Sequence, residues 1–255
     1  MEQTLEINNI SLIFSTILLV IAIFISYKEQ LGLNKDIIIA GIRAVIQLFI
    51  IGYILQYIFA VDNTVLTLAM VVFIILNASY NSAQRSSNIS NAFMISLAAI
   101  GTGTVLTLII LILTEAIQLV PSQVVPITGM IASNAMVAVG LTFRSLHSQF
   151  NDKSQQIQEM LSLGATQKQA SKDVISESIK NGTAPTIDRT KTVGLVSLPG
   201  MMSGLIFAGV NPTAAIRYQI VVMFMLISVS SLAGIIASYL AYKNYFNEYE
   251  QLILK

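Results

Sequence analysis

Residues 37–59 read IIIAGIRAVIQLFIIGYILQYIF, an apolar run broken by a single charge, Arg43. A bilayer core about 30 Å thick is crossed by roughly 20 apolar residues in a helix, so this stretch is long enough to span one. It does not alternate polar with apolar residues, as a strand of a membrane barrel must. Working outward, similar runs occupy residues 10–27 on one side and 65–80, 92–114, 124–143, 193–210 and 216–242 on the other. The composition agrees: 55% of the 255 residues are hydrophobic, 11% are charged, and the mean hydropathy is +0.74. These features predict an all-α, polytopic membrane protein with about seven transmembrane helices, forming one membrane domain over residues 1–255 and sitting among the lipids of the cell (inner) membrane.

Cys is absent and His147 is the one histidine, which removes disulfide frameworks, zinc clusters and thiol nucleophiles together. Glu2 and Glu6 stand where a cleaved signal would carry basic residues, so the first run is expected to be retained. A net charge of +1 gives no reason to expect nucleic acid as a partner. The distribution of charge is more informative. With the N-terminus outside and the C-terminus cytoplasmic, twelve of the 14 basic residues fall on the inner side, leaving Arg217 outside and Arg43 within a span. The outer loops then carry Asp62 and Glu115 and no lysine.

Only residues 144–192, between the fifth and sixth runs, form a long polar stretch, and they hold seven of the basic residues. Ile157, Met160 and Leu161, then Ala170, Val174 and Ile175, recur at helical spacing on either side of Gly164. Two short amphipathic helices meeting at a bend are predicted, the second closed by Pro185 after Gly182. The whole stretch is expected to be cytoplasmic. Its string Gln158-Glu159-Met160-Leu161-Ser162-Leu163-Gly164-Ala165-Thr166 has what a docking helix needs: an apolar face for a groove, a glycine for a sharp turn and a rim charge to fix orientation. An interfacial helix lying on the inner leaflet would show the same amphipathic pattern.

That string resembles the coupling segment of ABC permeases, although Glu159 precedes Gly164 by one residue less than in the widespread importer version and the following proline is displaced to Pro185. Further stretches carry the resemblance along the chain: Arg43-Ala44 through Gln47-Leu48, Gly129-Met130-Ile131, Asn134 through Gly140, Pro185 through Asp188, and Thr192 through Gly204. Together they resemble the FetB-type ABC permeases, a family of iron export permeases related to plant permeases implicated in aluminium tolerance. The resemblance implies docking on an ATPase through Glu159, Leu161, Leu163, Gly164 and Ala165. It also implies a separate ABC ATPase chain, a permease homodimer in a two-plus-two complex, and iron as cargo. No GxxxxGK[ST] stretch is present, so ATP and Mg would belong to the partner and no cofactor or catalytic site to this chain.

Polar and helix-breaking residues within the spans are candidates for the translocation path. Arg43 and Gln47 share a helix face, which either points into a bundle or lets Arg43 snorkel to the inner surface. Asn134 lies mid-span and is expected to bond another helix or water, as glue between helices or as a path residue. Pro199 and Gly200 interrupt the sixth run and should kink or break it, either bordering the path or permitting close packing. Met130, Met136, Met201 and Met202 are read mainly as packing. Two rivals to iron export remain open: an ABC permease for a nucleotide sugar or another small polar solute, and an ATPase-independent secondary transporter or channel. The second would call for ionisable residues at mid-membrane, of which the runs offer Arg43 alone.

Overall fold

The computed structural model describes residues 8–61, 63–85 and 89–253, without the side chain of Asn9. Glu2, Glu6 and Asp62, named above, and Lys255, one of the twelve basic residues assigned to the inner side, lie outside the described residues. The helices in order are α1 (Asn9–Lys28), α2 (Asn34–Val61), α3 (Thr64–Gln84), α4 (Ala92–Leu113), α5 (Pro121–Asp152), α6 (Ser154–Ser162), α7 (Gln167–Ala170), α8 (Lys172–Thr192), α9 (Gly200–Phe207) and α10 (Pro212–Ala241). Among the described residues there is no strand, only the isolated bridges Val193–Ser197 and Phe246–Leu252. Among the described residues, six helices, α1 to α5 and α10, are long and apolar enough to cross a membrane.

Their starts are written in the sequence. Asn8, Asn63 and Asn211 each accept a hydrogen bond from a backbone N–H in the first turn of the helix that follows, and Pro121 and Pro212 occupy first-turn positions where no donor is lost. Inside the apolar bundle, several hydroxyls are satisfied by their own helices. Ser79 donates to the Ile75 carbonyl at 2.7 Å, Thr107 to Gly103 at 2.7 Å, and Thr128 to Val124 at 2.7 Å.

The chain divides into two compact units, residues 1–62 and 63–255. In the first, α1 packs on α2, and Leu19 lies over Gly41, where an added Cβ would come within 3.0 Å of its side chain. Most apolar side chains of this pair are exposed, as expected of surfaces whose solvent is lipid or another subunit.

In the second unit, α3, α4, α5, α8 and α10 surround a common core that includes Ile100, Ile131, Val139, Phe143 and Val229. Helix directions follow from particular contacts. Phe73 and Asn77 of α3 share a groove with Gly129 and Met136 of α5, and Arg85 lies against Gly140, so α3 and α5 run parallel. Thr142 of α5 approaches Gly234 of α10, and further on Phe150 stacks on Tyr245 at 4.1 Å, so α5 and α10 are parallel too. Helix α8 runs against both. Asn181 donates to Ser145 at 3.0 Å, Thr186 bonds Ser230 at 3.1 Å, and Thr190 reaches the Met223 sulfur at 3.9 Å. Because α5 ends where α10 ends, the chain between them travels the length of the bundle before α10 begins.

Three expectations are corrected here. Residues 193–210 do not form a spanning helix. They make a turn with Gly194 at φ +83°, an extended Pro199, and then the eight-residue α9. Pro185 does not close its helix but sits inside α8, which continues to Thr192. The missing hydrogen bond is tolerated because packing holds the helix on both sides: Gly182 and Thr183 against α5 and α10 before it, Thr186 and Thr190 against α10 after it. Finally, the polar stretch 144–192 begins as helix, since α5 runs on to Asp152, and α8 is longer than the short second helix expected.

Candidate functional site

Two features carry the residues singled out in the sequence. The first is the α6–α7 bend. Ile157 is 1% exposed and anchors α6 to the core, while Met160 and Leu161 pack partly against it. On the outward side Glu159 accepts a hydrogen bond from Gln155 at 2.9 Å, one turn back on the same helix. The helix ends through two reversed hydrogen bonds, Gly164 N–H to the Leu161 carbonyl and Ala165 N–H to the Met160 carbonyl, both 3.0 Å. This termination requires a left-handed residue, and Gly164 supplies it at φ +90°. Thr166 then caps α7 reciprocally with Gln169. Leu163, just before the bend, is 88% exposed. The result is a rigid corner that presents an unburied leucine beside a carboxylate.

The C-terminal tail adds something that sequence reasoning missed. Tyr249, Glu250, Gln251 and Leu252 line an open hollow of about 740 Å³ together with Gln158, Leu161, Gly164 and Thr166. The tail is held by Asn247, whose side chain bonds Gln251, and by Ile253 N–H to the Tyr245 carbonyl at 2.8 Å. The sequence carries no periodic signal there, only a short run after the last apolar segment.

The second feature is the set of polar and breaking residues in or near the spans. Arg43 and Gln47 lie exposed on α2, in the first unit. Asn134, Pro199 and Gly200 belong to the second unit. Asn134 was expected to bond another helix or water, but its amide donates to the Met130 carbonyl of its own helix at 2.9 Å. Pro199 stands at the start of α9 and Gly200 is its first residue, so the chain is broken at this point, not merely bent. Among the described residues, no group of three or more His, Cys, Asp or Glu is arranged to hold a metal ion.

Comparison with known proteins adds the remaining findings. The profile of the family described as "Uncharacterised protein family (UPF0014)" matches residues 9–246. The chain is 55% identical over 249 residues to the "Probable iron export permease protein FetB" of Escherichia coli, covering 98% of this chain and 96% of that one. It is 38% identical over 243 residues to the "UPF0014 membrane protein YjkA" of Bacillus subtilis, covering 95% and 97%. It is 32% identical over 236 residues to "Protein ALUMINUM SENSITIVE 3" of Arabidopsis thaliana, covering 92% and 86%. No solved structure matches the chain.

Proposed function

The chain belongs to the UPF0014 family as a multi-pass membrane protein, and from that premise we propose that it is the permease subunit of an ABC-type exporter of iron. The observation that carries this reading is the 55% identity, across nearly the whole of both chains, to the protein described as "Probable iron export permease protein FetB". In this reading residues 1–255 act as one membrane domain, with the N-terminus outside and the C-terminus cytoplasmic. Two copies associate with two ATPase chains, which supply ATP and Mg, and this chain performs no catalysis of its own. The part of residues 144–192 that meets the ATPase is the α6–α7 corner, with Leu163 entering a groove and Glu159 at its rim. The exposure of Leu163 and the rigid turn at Gly164 support that assignment.

Expression in cells that lack the transporter tests the proposal. Iron-loaded cells given this chain together with its ATPase should accumulate less iron than cells given either alone. Unchanged iron in the presence of an assembled complex would overturn the cargo. Failure of the chain to bind any ABC ATPase would overturn the class.

A further inference from the structure

The parallel course of α5 and α10 has a topological consequence once both are membrane spans. The segment between them leaves one face of the membrane and must reach the other, yet it contains no long apolar helix. Resting on the permease reading, we infer that α8, the turn at 193–199 and α9 form a broken crossing, which brings Asp188, Arg189 and Lys191 to the middle of the membrane, where they meet an anionic group of the cargo.

The depth follows from helix geometry. Arg85 lies against Gly140, and Arg144 follows within a turn, so basic side chains mark the inner face at this level of α5. Gly182 of α8 and Gly234 of α10 both pack on Thr142, at the same level. From Gly234 back to the start of α10 is about 33 Å at 1.5 Å per residue, close to the roughly 30 Å of a bilayer core. Thr190 meets Met223 about 16 Å along that path, near the midplane. The inner half of the crossing is therefore α8 beyond Gly182, and the outer half is α9.

Helix α8 can enter the membrane although it is polar because its packed face is made of small and hydroxyl residues. Gly182 sits so close to α5 that an added Cβ would collide with Thr142 Oγ1 and lie 2.9 Å from the Ala138 carbonyl oxygen. The charged side chains lie on the other face. Asp188 pairs with Lys191 at 3.2 Å, both about two-thirds exposed in this chain, while Arg189 is exposed and makes no ion pair with described residues. Charges at this depth face water or another protein surface, not lipid, because lipid exposure costs several kcal/mol. The trio carries one net positive charge. Gln219, one turn from Met223 toward the outer end of α10, adds a buried amide (5% exposed) whose Oε1 has no hydrogen-bond partner among the described residues.

An exposed surface bearing Arg189 and Lys191, with no cluster of carboxylates or imidazoles among the described residues, suits carboxylate or phosphate oxygens better than a bare divalent cation. Iron would then leave as an anionic chelate.

Two measurements test this. Single cysteines at Lys153 and Asn211 in the otherwise Cys-free chain, probed with an impermeant maleimide on intact cells, should label at 211 and not at 153. Labelling of both, or of neither when both react after permeabilisation, would show that the segment does not cross. In proteoliposomes of the permease–ATPase complex, ferric citrate should stimulate ATP hydrolysis. Arg189→Gln should raise the half-stimulating concentration at least about tenfold, and Arg189→Lys should restore most of it. Co-purification of the ATPase with each variant controls for folding. Stimulation by free Fe²⁺ and not by ferric citrate, or an unshifted Arg189→Gln response, overturns the anionic site and leaves the permease reading standing. Stimulation by UDP-glucose alone, shifted by Arg189→Gln, supports the site while overturning iron as cargo. A complex stimulated by none of the three probes would overturn both.

Discussion

At the scale of single residues, Gly182 is the position at which the packing of α8 tolerates least change. A methyl group there would strike Thr142 Oγ1 and crowd the Ala138 carbonyl, so Gly182→Ala should cost about 1–3 kcal/mol by overpacking. Thermal unfolding in detergent should show a lowered midpoint. Adding Thr142→Ala should recover part of the loss, since one of the two obstructions is a side chain and the other is backbone. Full additivity of the two changes would mean that the helices do not meet there. Gly182 is legible in the sequence only as a glycine before a proline, which suggests a helix end. Its role as a contact surface depends on a partner far away along the chain, and no local rule reports that. Asn134 is a similar case. Its cost in an apolar span was visible, but its resolution, a hydrogen bond to Met130 in its own helix, is a choice of rotamer.

At the scale of elements, the α6–α7 corner was the most readable part of the chain. The pattern around Gly164 specified a helix that turns sharply at the glycine into another, and the structure has that bend, with Gly164 left-handed and Thr166 capping the next helix. Leu163→Glu removes an exposed leucine, so unfolding should change by no more than about 0.5 kcal/mol while stimulation of the partner ATPase is lost. If that variant couples normally, the ATPase contact lies elsewhere, and the adjoining hollow between the bend and Tyr249–Leu252 becomes the next place to test. The sixth apolar run was misread for a physical reason. Hydropathy sums the residues of 193–210 without regard to Gly194, Pro199 and Gly200, which break them into a turn and a short helix. Nor does hydropathy register that small residues let a polar helix such as α8 pack beside α5 and α10.

At the scale of the whole molecule, the six long helices and their membrane setting were legible because span length and apolar composition are properties of the linear chain. The grouping into residues 1–62 and 63–255 was not, since it depends on which helices bury area against each other. In the proposed function this chain, together with a separate ATPase, moves iron across a membrane. The direct measurement is transport by the complex reconstituted in sealed proteoliposomes, with labelled iron supplied as citrate on the side that faces the ATPase. We expect ATP-dependent accumulation of label inside the vesicles, abolished when ATP is replaced by a non-hydrolysable analogue. An assembled complex that hydrolyses ATP yet leaves the label outside, whether iron is supplied chelated or free, would overturn iron transport as the function of this chain.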